Sequence, residues 1–287
     1  MNVTLPEKNK FQKRQIILYT SIIMICIICV IVAFYVQFYA RIDIGRMIGI
    51  SSEGELGKKT EEETEKLKSK FDQIFNNSIE NDEGQNDNKK IEQDKKLVYT
   101  KYEKKEMKVN SYDLEVHIPY INIKSEVVDQ YNKEIEEIFI KIANNMLKSE
   151  NRNYIYTVEY IADVQDDILS LMIKSNLKEG ANAQKVIIQT YNYDLRNNKE
   201  ITLQEILKIE QLNQQIVQNK IKDEIEVEQK KAEELKKLGY PIYSRDVLSD
   251  IYLIENSTEF YLTNGALYII YAYGNQNNTN AKDIIIL

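Results

Sequence analysis

The stretch of residues 16–40 carries no charge and predicts a transmembrane helix. At about 1.5 Å per residue, such a helix reaches about 37 Å, which is enough to cross a hydrocarbon core of about 30 Å with some tilt. Its polar residues are limited to Thr20, Ser21 and Gln37, whereas a helix buried in a soluble core usually shows alternating faces. We therefore predict residues 15–40 as a membrane anchor.

Basic residues beside this stretch predict its orientation. Four lie before it, and only two lie within the first 15 residues after it. Because Lys and Arg favour the cytoplasmic side, residues 1–14 are predicted as a cytoplasmic tail and the rest of the chain as extracellular. A cleaved signal peptide has an apolar region of about 7–15 residues and ends in a small-x-small site, which Phe38-Tyr39-Ala40 does not provide. A single-pass protein of the cell membrane is expected.

Residues 41–96 are mostly charged or polar and predict a flexible linker, because they bury too little apolar area to offset their ordering entropy. One short helix is predicted inside it. Thr60 and Glu63 form a capping-box pattern, and apolar residues at helical spacing follow them: Leu67, Phe71, Ile74 and Phe75. This helix is interpreted as part of a solvated stalk, with docking on a neighbour or on a second copy as the alternatives.

From residue 97 to residue 287, alternating apolar and polar positions predict strands. Asn264-Gly265 between two alternating runs is a strong signal for a hairpin. A short turn at residues 163–167 predicts another antiparallel hairpin. The predicted strands are residues 98–105, 112–121, 154–162, 168–177 and 184–195, followed after residue 257 by EFYLT, ALYIIYAY and KDIIIL.

Helical spacing of apolar residues predicts three helices among these strands. Ser125 caps the first, whose apolar positions run from Val128 to Met146. Thr202 and Glu205 form a second capping box ahead of a short helix. The third and longest helix is predicted for residues 209–238, with one apolar side: Leu212, Ile216, Ile221, Ile225, Ala232 and Leu235.

Gly239 and Pro241 mark the end of the long helix, because glycine adopts the left-handed conformation and proline prevents the helix from resuming. Residues 97–287 are therefore predicted as one extracytoplasmic α+β domain. Its sheet is expected to be mostly antiparallel, with helices packed on one face.

Composition narrows the function classes. The chain has 38 basic and 45 acidic residues and a net charge of −7, which argues against nucleic acid as a partner and against strong adhesion to anionic lipid. Both cysteines, Cys26 and Cys29, lie in the predicted anchor, so the outer domain has neither a disulfide nor a catalytic thiol. Inside an apolar helix, their CxxC spacing is interpreted as packing.

Candidate catalytic and metal sites are sparse. The single histidine, His117, lies on a predicted strand and is expected to pack or hydrogen-bond at a sheet face. Aspartates cluster at residues 163–167 and at 246–250, but without the spacing of a calcium loop. No metal and no cofactor is therefore predicted. No GxSxG motif occurs, and nothing selects one pair of carboxylates for glycoside hydrolysis, so a non-enzymatic protein is expected.

Tyrosine is unusually abundant, with 20 residues, and many lie on predicted strands. Core packing explains most of them, while those on the other face of a sheet offer a rigid recognition surface with polar tips. The polar loop at 274–280 follows two of these tyrosines directly. The predicted binding residues are Tyr191, Tyr193, Tyr271, Tyr273 and Asn275.

Three stretches carry a resemblance to a known family: YDLEVHIPYINI, QTYNYDLRNNKEITLQEIL and EFYLTNGALYIIYAYGN. Together they resemble the extracytoplasmic domain shared by anti-sigma-V factors (RsiV-like) and the N-terminal region of the peptidoglycan deacetylase PdaC of Gram-positive bacteria. The resemblance covers residues 97–287 and implies an α+β domain. In the anti-sigma members this domain binds lysozyme, which exposes them to regulated proteolysis.

The sequence departs from this family in two respects. The usual Gly-Gly-Ala-His segment before the YNYDL strand is replaced here by residues 179–183, EGANA, which lack the histidine. The predicted tail of about 14 residues is too short for a sigma-binding region, and no deacetylase catalytic domain follows. The resemblance therefore implies an envelope binding domain without either output.

Three functional hypotheses follow. The first is a membrane-anchored binding or sensing protein of the cell envelope that recognises a protein (lysozyme-like) or peptidoglycan ligand. Its predicted partners are that ligand and the lipid bilayer, the latter through residues 16–40. The alternatives are a cell-wall-modifying enzyme that uses paired carboxylates and a signalling subunit that acts through its transmembrane helix.

Overall fold

The computed structural model describes residues 59–75, 96–149, 153–263 and 265–287. All of them belong to a unit of residues 55–287. The predicted tail and anchor, residues 1–40, lie outside the described ranges. Within those ranges, no helix is both long and apolar enough to cross a membrane.

A six-stranded sheet forms the centre of this unit, with its strands in the order β1-β2-β3-β4-β5-β6. Only β2 and β3 pair in parallel, with Tyr112 opposite Tyr154, and the remaining pairs are antiparallel. The prediction of an α+β fold with a mostly antiparallel sheet is confirmed. The strands are β1 (Val98–Lys108), β2 (Tyr112–Ile121), β3 (Tyr154–Gln165), β4 (Ile168–Glu179), β5 (Lys185–Asp194) and β6 (Lys199–Glu200).

The hairpin between β3 and β4 is tighter than the sequence predicts. Both strands reach the turn, so that Gln165 pairs with Ile168 and the loop consists of Asp166 and Asp167 alone. These two aspartates have φ values of 51° and 62°, which is the pattern of a type I′ turn. Aspartate tolerates this left-handed conformation better than most residues, which explains its place here.

A second sheet contains three antiparallel strands: β7 (Phe260–Thr263), β8 (Ala266–Ala272) and β9 (Lys282–Ile286). The predicted hairpin is confirmed, since Thr263 pairs with Ala266 and Gly265 has a φ of 70°. Every residue of β8 is buried. One face of this sheet packs against the first sheet and the other packs against helices, so the second sheet is an inner layer.

The first sheet is covered on its outer side by a helical segment in the β2–β3 connection. It consists of α2 (Glu126–Ile135), a π-helical turn (Glu136–Ile140) and α3 (Lys141–Leu147). The predicted apolar face is buried in a core with β2–β5. Ser125 precedes the helix as predicted, but its side chain makes no capping hydrogen bond.

Two further helices cover the outer side of the second sheet: α4 (Leu203–Ile209) and α5 (Gln214–Lys237). The capping box at Thr202 and Glu205 is present. Because helices lie outside both sheets, the expectation of helices on one face is wrong. The layers instead run helix, sheet, sheet, helix.

The long helix differs from its prediction in its start and in its buried face. It begins at Gln214, capped by Asn213, because Gln211 has a φ of 55° and interrupts the helical path. Val217 is buried in place of Ile216, which is exposed. At the other end, Gly239 has a φ of 90°, as expected for the residue after a helix.

The short helix predicted within the linker is present as α1 (Glu61–Ser69), with its capping box at Thr60 and Glu63. It does not stand in a solvated stalk. Phe71 and Phe75, just after it, are buried in the core between the two sheets. Asp72 contacts the ammonium groups of Lys174 at 3.3 Å and Lys282 at 3.1 Å. This segment is therefore part of the folded unit.

Candidate functional site

The four tyrosines among the predicted binding residues lie inside the protein. Tyr191 and Tyr193 face the core under α2 and α3, and Tyr271 and Tyr273 face the core under α4 and α5. Their exposed fractions are 4%, 0%, 7% and 5%, respectively. The structure thus divides these residues between two cores and gives their rings packing roles. Whether any of them meets a ligand stays a prediction.

A polar network surrounds Tyr273. Its hydroxyl donates to Oδ2 of Asp283 at 2.5 Å and lies 2.7 Å from the hydroxyl of Tyr252. The ring of Tyr243 stacks on the ring of Tyr273, with 4.5 Å between centroids. Burial, together with the adjacent Asp283 carboxylate, raises the pKa of Tyr273 far above its ordinary value. This phenol therefore stays protonated and acts as a structural donor.

Asn275 closes an edge of the first sheet. Its side-chain amide donates to the carbonyl oxygen of Ile188 at 2.7 Å, and its Oδ1 accepts from the amide of the same residue at 3.0 Å. These are the bonds that another strand would make with β5. Gly274 comes so close to β5 that a Cβ there would overlap the carbonyl oxygen of Val186. The loop thus connects the edge of the first sheet to the second sheet.

Three of the five aspartates considered as cation ligands have protein partners. Asp163 accepts a hydrogen bond from the hydroxyl of Thr263 at 2.5 Å, and Asp167 pairs with Arg196. Asp246 accepts from the amide of Leu248 at 3.1 Å. In the described part of the chain, no group of three or more His, Cys, Asp or Glu side chains is arranged to hold a metal ion.

A different surface has the properties of a binding site. We call it the open face: the side of β1, β2 and β3 that points away from α2 and α3. The second sheet contacts β3, β4 and β5, and the core between the sheets contains no described residue of β1 or β2. The open face consists of Tyr99, Lys101, Glu103, Lys105, Met107, Asp113, Glu115, His117, Tyr120, Ile155, Thr157 and Glu159.

The centre of the open face is the pair of Glu103 and His117. They lie directly opposite each other on β1 and β2, which places their Cβ atoms about 5 Å apart. Neither side chain makes a hydrogen bond or an ion pair within the described ranges. One strand position away, Lys105 pairs with Glu115 at 2.6 Å. The face therefore offers a carboxylate and an imidazole without partners in the described ranges, beside an exposed ion pair.

One end of the open face is aromatic. The rings of Tyr99 and Tyr120 lie 5.5 Å apart between centroids and are tilted by 45°. The ammonium of Lys101 lies 4.3 Å from the centroid of the Tyr120 ring, within range of a cation–π interaction. Both tyrosines are partly exposed, so they present contact area to an incoming ligand.

The other side of the open face ends at a wall where α1 and the second sheet begin. Lys174 on β4 is buried there, and its ammonium contacts Glu159 at 3.5 Å and Asp72 at 3.3 Å. It also lies 4.5 Å from the centroid of the Phe75 ring. Side chains thus become progressively more buried from β1 to β4. The open face is therefore exposed at β1 and bounded beside β4 by α1 and the second sheet.

The open face can bind a polar ligand by hydrogen bonds and aromatic contact. Its donors and acceptors are carried by strands, which hold them rigidly. His117 lies at a sheet face, as the sequence predicts, whereas Tyr99 and Tyr120 of the open face are not among the predicted binding residues. Their signal was the alternation of β1 and β2, whose outer residues are charged or aromatic.

No family model and no curated protein matches this chain. Two solved structures of the DUF3298 family are similar to it. One, from Bacteroides fragilis, is 15% identical with a TM-score of 0.32, and the match covers 56% of this chain and 61% of that protein. The other, from Pseudomonas aeruginosa, is 13% identical with a TM-score of 0.35, and covers 66% and 87%, respectively.

Proposed function

We propose that this chain is a non-enzymatic binding protein of the cell envelope, anchored through residues 16–40, whose outer domain binds a protein (lysozyme-like) or peptidoglycan ligand. The anchor prediction and the resemblance to the anti-sigma-V domain support the location and the ligand classes. The observation that carries the proposal is the open face, where Glu103 and His117 have no partner in the described part of the chain.

The chemistry of the open face suits a neutral or mixed-charge polar ligand. Four acids, two lysines and one imidazole lie across the three strands, so the face carries both signs of charge with an excess of acids. Sugar hydroxyls and peptide groups both accept and donate hydrogen bonds, and they match such a surface. Tyr99 and Tyr120 add apolar area at one end, the usual role of tyrosine at binding surfaces.

Retention of the full chain in mild detergent on insoluble peptidoglycan and on immobilised lysozyme tests this proposal. We expect retention on one of them and a loss of at least fivefold for Glu103→Gln combined with His117→Gln. The matched control is Glu137→Gln, an exposed acid of the π-helical turn on the opposite side of the sheet. Absence of retention on both materials would remove the ligand classes proposed.

Two further measurements, one on the same preparation and one in cells, test the alternatives. Release of sugar or acetate from peptidoglycan that is abolished by Glu103→Gln or Glu159→Gln would establish a carboxylate enzyme instead. A signalling subunit predicts that an unrelated spanning helix in place of residues 16–40 abolishes output in cells. Simple tethering survives that exchange.

A further inference from the structure

The exposed side of α5 carries a stripe with the features of an interface. Ile216, Val227 and Leu238, at its C-cap, are 68%, 47% and 74% exposed. They are spaced by 11 residues, about three helical turns, so they lie on one line along the helix. Exposed apolar residues aligned in this way, with charges between them, are typical of a helix that packs against another helix.

A groove runs beside this stripe, between α1 and α5. Its volume is about 630 Å³. Thr64 and Lys68 of α1 form one side, while Ile216, Lys220 and Val227 of α5 are on the other. The ammonium of Lys68 pairs with Glu224 across the floor. The groove can therefore hold an elongated segment, such as a helix, that lies along α5.

The stripe is complementary to itself in the antiparallel direction. If two copies of α5 cross at Val227, then residues at equal distances on either side of it face each other. Asp223 then faces Lys231 of the second copy, four residues from the centre. Lys220 faces Glu234, seven residues away, and Ile216 faces Leu238, eleven residues away. Offsets of 4, 7 and 11 keep all of these residues on one helix face.

The present partners of these charges leave room for this pairing. Asp223 and Glu234 are exposed, and neither makes an ion pair within the described ranges. The ammonium of Lys220 donates to the carbonyl oxygen of Ile286 at 2.8 Å, and burial lowers its pKa. Among the described residues, the ion pair of Lys231 is with Glu228, one turn away on the same exposed surface, which is a weak interaction.

We propose that two copies of this chain associate through antiparallel packing of α5 about a two-fold axis at Val227. Two-fold symmetry makes each contact occur twice, so one dimer contains two Asp223–Lys231 pairs and two Lys220–Glu234 pairs. The apolar residues occupy the centre and both ends of the contact. Charge complementarity fixes the antiparallel register, because parallel helices would place Asp223 against Asp223.

Cysteine cross-linking tests the axis directly. In full-length chain with Cys26→Ser and Cys29→Ser, Val227→Cys is expected to form a disulfide-linked dimer under mild oxidation, because a residue on the axis meets its own copy. The matched control is Lys222→Cys, which is exposed on another side of α5. Equal cross-linking at both positions, or none at Val227→Cys, would overturn the proposal.

A charge exchange tests the register. We expect Asp223→Lys to weaken self-association about tenfold in sedimentation velocity, because two attractive pairs become repulsive. Adding Lys231→Asp is expected to restore association to within about twofold. These residues are eight positions apart, too far to pair within one helix, so rescue requires the second copy. A double variant as weak as Asp223→Lys, or a wild-type chain that stays monomeric, contradicts the antiparallel dimer.

Discussion

Arg245 holds Asp283 in a buried bidentate ion pair. Nε donates to Oδ2 and Nη2 donates to Oδ1, each at 2.6 Å, and the side chains are only 8% and 5% exposed. Arg245 lies in the loop after α5, whereas Asp283 lies on β9. Despite its burial, this hydrogen bonding raises the pKa of Arg245. The pair thus ties the loop to the second sheet.

Removing one partner of this pair is expected to be costly. Arg245→Met leaves the Asp283 carboxylate buried without its cation, which should lower the free energy of unfolding by about 3–5 kcal/mol. Arg245→Met with Asp283→Leu should recover much of that loss. Urea denaturation measures both variants. The control is Arg196→Met, whose side chain and partner Asp167 are 37% and 49% exposed, with an expected loss below about 1 kcal/mol. Equal losses at the two arginines would contradict this account.

The docked segment at residues 59–75 makes a second prediction. Phe71→Ala should lower the free energy of unfolding by about 3–5 kcal/mol, because the ring fills the core between the sheets. Gln73→Ala, on the exposed side of the same turn, should change it by less than about 0.5 kcal/mol. Chemical denaturation gives both values. Rapid hydrogen exchange of the amides throughout residues 61–73 in the wild type would contradict docking.

Glu259 is expected to make stability depend on pH. Burial raises its pKa to about 7, although hydrogen bonds from Thr190 oppose this shift. The unfolded chain has the ordinary value of 4.5. Since the folded state keeps a proton that the unfolded chain has lost, the contribution is complete below pH 4.5 and disappears as the pH rises through 7.

The corresponding measurement compares wild type with Glu259→Gln from pH 4.5 to pH 8. The wild type should lose at most about 3 kcal/mol more than the variant over this range, because the amide of glutamine does not titrate. Other titrating groups contribute equally to both proteins. Superimposable pH profiles would show that Glu259 is ionised at no cost in the folded state.

Local features of the fold were predictable from the sequence. The capping boxes at Thr60 and Thr202 and the hairpin at Gly265 depend on residues only a few positions apart. The buried face of the long helix was not predictable from neighbouring residues alone. Its amphipathic pattern allowed either Ile216 or the adjacent Val217 to face inward, and the position of the second sheet selected Val217.

The candidate site was less predictable for a related reason. The sequence predicts Tyr271 and Tyr273 as binding residues if one face of β8 meets water. The structure buries both faces of β8 between the first sheet and α4 and α5. The exposed sheet surface lies instead on β1 and β2, beyond the reach of the second sheet. Alternation along one strand shows that the strand has two faces, but it does not show whether a second sheet covers one of them. That depends on contacts between residues far apart in the sequence.

Two glycines should respond very differently to alanine. At Gly274, a methyl group would overlap the carbonyl oxygen of Val186 and lie 2.7 Å from that of Thr279, so the loop would have to move away from β5. We expect a loss of more than about 3 kcal/mol. At Gly239 a methyl group would have no atom within 4 Å, and only the φ of 90° would strain an alanine. We therefore expect a loss of about 1–2 kcal/mol there. Thermal unfolding of both variants checks the order, and a smaller loss at Gly274 would contradict the close approach.

Tyr193 offers a direct test of whether a predicted binding residue instead has a packing role in the interior. Its ring is fully buried, and its hydroxyl has no hydrogen-bond partner in the described part of the chain. Tyr193→Phe removes an unsatisfied buried group and should leave the free energy of unfolding unchanged or raise it by up to about 1 kcal/mol. Tyr271→Phe should instead lose about 1 kcal/mol, because its hydroxyl bonds to Ser257 at 2.8 Å. Urea denaturation gives both values. A Tyr193→Phe protein that keeps its stability but loses retention on peptidoglycan or lysozyme would return this residue to the binding site.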